Sequence, residues 1–231
     1  MKKKVKLKDG VQIIGLAGYK GSGKDTLGNH LVSEINNKGD RYAVRVGFAD
    51  ALKEYCAERY NMDRDILYAD QHKKDTTLSE LLWTDFDDEV QKRYERSRVD
   101  TKFLTYREVL QVVGTDVFRE EDGTIWIDKL TEHVNTIESE LPLTVVITDL
   151  RFDNEALWVM ENDGHVIRIM SDLQKTDVHT SEFGVTMYNF EVLGKGKSSL
   201  KHSKKDVYEL YRYILLYERV RDYEEETEGN Y

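Results

Sequence analysis

Two near-continuous apolar stretches stand out along the chain: Val11 to Ala17, and Leu143 to Thr148 ending on Asp149. An unbroken apolar run of this length is the pattern of a strand buried on both faces, as in a parallel sheet covered by helices. Tyr42 to Phe48 and His165 to Met170 alternate more but have strand composition. Between these runs the period changes. Leu27, Leu31 and Ile35 recur at i, i+4 and i+8 after the first strand, and Trp126, Leu130, Val134 and Ile137 make an apolar stripe before the strand at 143. Tyr106 to Val113 and Asn154 to Asn162 also read as helices. Val207, Leu210, Tyr211, Ile214, Leu215 and Tyr217 give a broad apolar face suited to core packing. Strands alternating with helices predict an α/β sheet with helices on both faces.

Residues from about 61 to 105 break the alternation. They are crowded with charge (Asp63, Arg64, Asp65, Lys73, Lys74, Asp75, then Arg93, Arg96, Arg98) and have few apolar residues in register. A solvated helical insertion is the expectation there. The end of the chain, 222–231, is acidic through Glu224, Glu225, Glu226 and Glu228, and reads as a flexible tail. Residues 1–221 then form one domain carrying the insertion at 61–105.

Composition narrows the function. The chain has 34 basic and 44 acidic residues, a net charge of −10. That argues against a duplex nucleic-acid binder, which needs a basic footprint to displace counterions. A small anionic ligand stays open, because a local nest of amides and lysine outweighs a distant negative surface. Cys56 is the single cysteine, so no internal disulfide or multi-cysteine metal site is available, and on a helical face it reads as a small buried hydrophobe. The basic start, Met1 to Lys8, precedes an apolar run too short and too glycine-broken for an export segment. With no run near 18 apolar residues, a soluble cytoplasmic protein without membrane partners is expected.

The candidate chemistry begins at Gly18-Tyr19-Lys20-Gly21-Ser22-Gly23-Lys24-Asp25-Thr26. Gly18 and Gly23-Lys24 fit G-x-x-x-x-G-K, with Asp25 where a Ser or Thr is usual. Glycines at this spacing let backbone N–H groups turn toward a phosphate, and the helix that follows aims its positive dipole end at the same anion. Lys24 then reaches the β- and γ-phosphates. The loop directly follows a buried-strand pattern and directly precedes an amphipathic helix, which is the context a phosphate loop requires. Asp25 is a hard oxygen ligand suited to Mg²⁺, or else a helix cap.

A second half-site lies at the strand ending in Asp149. In an open parallel sheet, ligands sit at the carboxyl ends of strands, so Asp149 should face the loop as a Mg²⁺-water ligand or a partner for a loop hydroxyl, unless it caps the next helix. Arg151 offers a planar, permanent charge to a transferring phosphoryl group. Its i, i+4 spacing to Glu155 also allows a solvated helical ion pair.

These blocks resemble a phage-type deoxynucleoside monophosphate kinase, a branch of the P-loop nucleoside monophosphate kinases. Gly21 to Thr26 resembles the family's loop with its Asp-Thr ending, and Phe48-Ala49-Asp50-Ala51-Leu52-Lys53 the segment after its second strand. Arg107 to Asp116 followed by Trp126-Ile127 resembles its central helix and downstream aromatic. Val146 to Glu155 resembles the strand with its D-x-R, and His179-Thr180-Ser181-Glu182 its H-x-[ST]-E. The resemblance implies a three-layer kinase fold with a five-stranded parallel sheet, and transfer of the ATP γ-phosphoryl group to a deoxynucleoside monophosphate with Mg²⁺. By motif position, Gly21, Ser22, Gly23, Lys24, Asp25 and Thr26 would bind ATP phosphates and the metal. Arg107 would grip the monophosphate's phosphate, with a surface ion pair as its alternative. Trp126 would stack on or wall the base, with core packing as its alternative. Asp149 and Arg151 would sit at the transfer point, Asp149 sharing the metal with Asp25 and Glu155 positioning Arg151 or the sugar. His179 is expected to orient or to support structure. The partners implied are ATP and the monophosphate, and a homodimer is left open. Two rival readings keep the same loop: a kinase of another small phosphorylated metabolite, and a nucleotide-hydrolysing switch or DNA-metabolism ATPase.

Overall fold

The computed structural model describes residues 5–19, 22–86, 103–117, 124–171, 185–194 and 209–217. The chain divides into two compact units, one made of Lys6–Gly47 with Val134–Tyr231, the other of Met1–Val5 with Phe48–His133.

The first unit holds a five-stranded, all-parallel sheet. Its strands are β1 (Gln12–Gly18), β2 (Tyr42–Val46), β5 (Leu143–Leu150), β6 (His165–Ser171) and β7 (Phe190–Gly194), in the order β2-β5-β1-β6-β7. The two apolar runs of the sequence are the central strands, β1 pairing β5 from Gln12↔Thr144 onward. Both are buried on both faces, which is why neither alternates. Helix α1 (Lys24–Lys38) turns Leu27, Leu31 and Ile35 onto one face, against Ile14, Leu16, Val146 and Ile167. Full burial of each such side chain stabilises by about 1.5–3 kcal/mol. Tyr211 and Ile214, from the helix at 209–217, join the same cluster. On the opposite face Gly15 lies against Val159 of the helix Asp153–Glu161. Helices therefore flank the sheet on both faces, as expected. The chain leaves β1 toward β2 on one side and leaves β5 toward β6 on the other. The carboxyl ends of β1 and β5 thus border the point where strand order reverses, the ligand crevice of open α/β sheets.

The second unit contains α2 (Phe48–Tyr60), α3 (Arg64–Leu67), α4 (Gln71–Thr76), the antiparallel pair β3 (Leu78–Leu82) and β4 (Phe103–Thr105), and α5 (Tyr106–Gln111). A π-helical stretch, Val112–Val117, continues α5, and α6 (Ile125–Thr136) follows. Thr105 and Glu108 start α5 as a capping box: Glu108 N–H donates to Thr105 Oγ1 and Thr105 N–H to Glu108 Oε2. The helix Asp153–Glu161 is numbered α7 and that at 209–217 α8.

The region 61–105 differs from the solvated helical insertion expected. Its described part has two short helices and a two-stranded ladder. Met62, Leu67, Trp83, Phe86 and Leu104 are buried with Cys56, Tyr106, Val109 and Val113 in an apolar cluster of their own. Each short element contributes only one or two of these residues, so no single period announces them. Burial of Cys56 pushes its thiol pKa up to about 12, in keeping with a packing role. The tail 222–231, the segment 87–102 and His179 lie outside the described residues. No helix among those described is long and apolar enough to cross a membrane.

Candidate functional site

The loop between β1 and α1 begins where a central, buried strand of the sheet ends. Gly23 is the residue before the helix and adopts φ 93°, a left-handed conformation that side-chain-bearing residues rarely enter. It offers no side-chain cap, so the helix N-terminus is an end suited to an anionic oxygen. Ser22 N–H closes a turn onto the Tyr19 carbonyl at 3.0 Å. Ser22 is only 4% exposed, and its buried hydroxyl finds no hydrogen-bond partner among the described residues. A buried polar atom left in this way costs free energy unless a ligand meets it. Lys24 curls back over the loop, its Nζ donating to the carbonyls of Gly18 at 2.6 Å and Tyr19 at 2.8 Å. Thr26 is half-buried in the first turn of α1. Gly21 lies outside the described residues.

Asp25 does not cap its own helix. Its Oδ1 accepts from Thr148 Oγ1 at 3.1 Å and lies 3.5 Å from Arg45 Nη1. The carboxylate is nonetheless 78% exposed, so the two bonds orient it without enclosing it. Neither Thr148 nor Arg45 is marked by a local motif, and the Thr148 contact spans 123 positions. Thr148 does immediately precede Asp149 at the end of a buried strand, which is the one signal that could have singled it out.

Gly28 explains how these groups approach. A Cβ there would lie 2.3 Å from Thr148 Cγ2, so α1 packs onto the end of β5 at a separation only glycine allows. Asp149 is half-buried and rests against Gly47, whose added Cβ would lie 2.9 Å from Asp149 Oδ2. Asp25, Thr148 and Asp149 are thus brought to one end of the sheet beside the loop.

Arg151 is exposed just beyond β5. The solvated Arg151–Glu155 pair anticipated as its alternative does not form. Glu155 is 1% exposed, and its Oε2 accepts the backbone N–H of Arg151 at 2.9 Å and of Phe152 at 3.2 Å. The carboxylate caps the start of α7 and fixes the backbone from which Arg151 projects. Asp153, beside it, accepts from the Thr186 N–H at 2.7 Å and hydroxyl at 2.8 Å. Burial alone would raise the Asp153 pKa, but the bonds from Thr186 favour the carboxylate and hold it below the ordinary value.

Arg107 and Trp126 belong to the second unit. Arg107 is half-buried on α5, its Nε 4.0 Å from Asp75 Oδ1. Trp126 takes the core alternative. It is 4% exposed, its ring edge meets Tyr55 at 6.4 Å, and its indole N–H donates to the Gly114 carbonyl at 3.2 Å. That carbonyl belongs to the π-helical stretch, where the regular helical ladder is interrupted. In the same unit, Glu54 accepts from Tyr68 Oη at 2.9 Å and from Arg64 Nε at 3.0 Å. Burial alone would raise the Glu54 carboxyl, yet these two bonds hold it lower, while burial and the bond to Glu54 push the Tyr68 phenol up.

A model of the deoxynucleotide monophosphate kinase family matches residues 83–207. A protein of Acanthamoeba polyphaga mimivirus named "Putative deoxynucleotide monophosphate kinase" is 30% identical over 182 residues, covering 74% of this chain and 80% of the relative.

Proposed function

This chain belongs to the deoxynucleotide monophosphate kinase family and is a kinase; on that premise we propose that it transfers the γ-phosphoryl group of ATP to a deoxynucleoside 5′-monophosphate in the presence of Mg²⁺, releasing a deoxynucleoside diphosphate and ADP. The observation that carries the donor assignment is the loop. It presents a buried Ser22 hydroxyl, an uncapped helix start at Gly23, and Lys24 within one turn. Those groups match what a polyphosphate needs: an inward donor, a positive dipole end and a cation.

Gly21, Ser22, Gly23 and Thr26 would hold the ATP phosphates. Lys24 would leave the Gly18 and Tyr19 carbonyls to meet negative charge, exchanging neutral acceptors for anionic ones. Asp25 and Asp149 are assigned to Mg²⁺, which in phosphoryl-transfer sites takes one or two carboxylates plus phosphate oxygens and waters. When bound, the ion neutralises charge developing on the transferring group. Thr148 would steady the Asp25 carboxylate through its 3.1 Å bond to Oδ1. Arg151 is assigned to the migrating phosphoryl group, with Glu155 as its positioning residue through the backbone bond. Arg107 is assigned to the acceptor's phosphate, since its guanidinium is a permanent, planar anion receptor.

The test is ADP release from ATP and Mg²⁺, followed in a coupled assay with each of the four deoxynucleoside monophosphates. ADP release that depends on at least one of them is the expected result. Release at the same rate without any acceptor would overturn the reading in favour of a hydrolysing switch. Release with only some other phosphorylated metabolite would reassign the acceptor.

A further inference from the structure

Two lysines of the second unit, Lys53 and Lys74, have no role in the donor chemistry. Lys53, from the Phe48–Lys53 segment, pairs with Asp50 Oδ1 at 2.7 Å, and its Nζ lies 4.5 Å from the centroid of the Tyr68 ring. Lys74 of α4 donates through Nζ to the carbonyl of Ala69, the residue after Tyr68. Both ammonium groups are therefore held against one short connection between α3 and α4. Arg107 completes the set. Asp75, next to Lys74, lies 4.0 Å from Arg107 Nε, and the Tyr106 N–H bond to the Thr77 carbonyl at 3.0 Å ties the start of α5 to the end of α4.

The electrostatics agree with that placement. Lys74 is half-buried, and its ammonium pKa is held below the ordinary lysine value by burial first, then by the charges of Lys53 and Arg107. Asp70 and Asp75 act in the opposite direction and do not cancel the effect. Asp70 is engaged as the cap of α4, accepting the Lys73 N–H at 2.9 Å, while Asp50 and Asp75 each pair with a neighbouring cation. Crowding three cations at a partly buried place works against the folded state, and a multiply charged anion reverses the sign of that term. A phosphate monoester carries about 1.5–2 negative charges at pH 7 and three strong acceptor oxygens.

We infer that Lys53 and Lys74 join Arg107 in one cradle that grips the 5′-phosphate of the acceptor nucleotide. The inference rests on the assignment of Arg107 to that phosphate and extends it to two lysines that no motif marks. It makes the acceptor site selective for a monophosphate over the free nucleoside through charge supplied by α2, α4 and α5 together. The Tyr68 ring and the Ala69 carbonyl hold the two ammonium groups in position without neutralising them.

Titration and steady-state kinetics on the full chain test this with Lys53→Gln, Lys74→Gln, Lys74→Arg and Arg107→Ala, using the deoxynucleoside monophosphate that gives wild-type turnover. Each Gln variant should raise Kd and KM for the monophosphate about 10- to 100-fold, the range for one lost charge-assisted hydrogen bond. KM for ATP should stay at its wild-type value, the melting temperature should not fall, and Lys74→Arg should retain most of the affinity because it keeps the charge. Unchanged monophosphate affinity in both Gln variants, with Arg107→Ala weakened, overturns the cradle and leaves the acceptor assignment standing. Equal losses in Lys74→Arg and Lys74→Gln, or a matching rise in KM for ATP, overturn it in favour of a structural role. If the wild-type protein binds none of the four monophosphates, the acceptor assignment fails and the cradle fails with it.

Discussion

Replacing Gly28 by alanine sets two well-calibrated effects against each other. In the interior of α1 the change from glycine should stabilise the helix by ~1 kcal/mol through backbone propensity alone. The added Cβ, however, would stand 2.3 Å from Thr148 Cγ2, while its other neighbours, Leu16 Cδ1 at 3.5 Å and Val146 Cγ1 at 3.6 Å, are at ordinary contact. Carbon atoms rest at about 3.5–4.0 Å, so α1 must lift from β5 or Thr148 must leave its rotamer. Overpacking of this kind costs ~1–3 kcal/mol, and so short a separation belongs at the upper end. The net expectation is a loss of ~2 kcal/mol, or a melting temperature lower by ~4–8 °C for a chain of this size. Thr148→Ser removes only the clashing methyl and keeps the hydroxyl that bonds Asp25. Alone it should cost ~1 kcal/mol, yet combined with Gly28→Ala it should restore near-wild-type stability, a coupling of ~2–3 kcal/mol. Urea denaturation of the four proteins in this cycle measures the coupling. A Gly28→Ala protein more stable than wild type, or strictly additive changes, would refute the close approach of α1 to β5.

Three further outcomes follow from the site. Asp25→Ala should lower turnover and raise the Mg²⁺ concentration required, with Asp25→Ser milder; unchanged Mg²⁺ dependence in both would make Asp25 only a tie to Thr148 and Arg45. Arg151→Ala should lower kcat by ~10³–10⁵, the range for an arginine at a transferring phosphoryl group, with Arg151→Lys recovering part of the loss. A change confined to KM would remove Arg151 from the transfer point. Because the folded-state pKa of Asp153 lies below its ordinary 3.8, its contribution to stability is present above that value and is lost as pH falls through the folded-state pKa. The stability gap between wild type and Asp153→Asn should therefore narrow on acidification across that interval, and a gap independent of pH there would contradict the Thr186 bonds as its cause.

The fold's legibility in the sequence tracks how locally each element is determined. β1 and β5 were readable because strands buried on both faces leave an unbroken apolar run, and α1 because its buried residues repeat within one helix. The edge strand β7 carries no such signal. Phe190-Glu191-Val192-Leu193 pairs on one side only, with β6, and its short alternation resembles many surface segments. Phe48, read as the end of β2, is the first residue of α2, because an aromatic buried at a strand-to-helix boundary suits both. The ladder of β3 with β4 escaped because its pairs, Leu78↔Thr105 and Leu82↔Phe103, join residues far apart in sequence. The same distinction governs the site. The Gly18–Thr26 motif is local and can be read straight from the sequence. The Thr148 bond to Asp25 and the gathering of Lys53, Lys74 and Arg107 depend on tertiary placement. Glu155 could be suspected, but its role as a cap was hidden because the residue before α7 is Phe152 rather than Ser or Thr.

Delivery of a phosphoryl group to a deoxynucleoside monophosphate is the role proposed for the loop at Gly18–Thr26. Its most direct test is to incubate the protein with Mg²⁺, ATP labelled in the γ-phosphate and each deoxynucleoside monophosphate in turn, and to identify the labelled product. Label should appear in a deoxynucleoside diphosphate with wild-type protein and not with a folded Lys24→Ala variant. Label recovered only as inorganic phosphate, or equal transfer by Lys24→Ala, would contradict it.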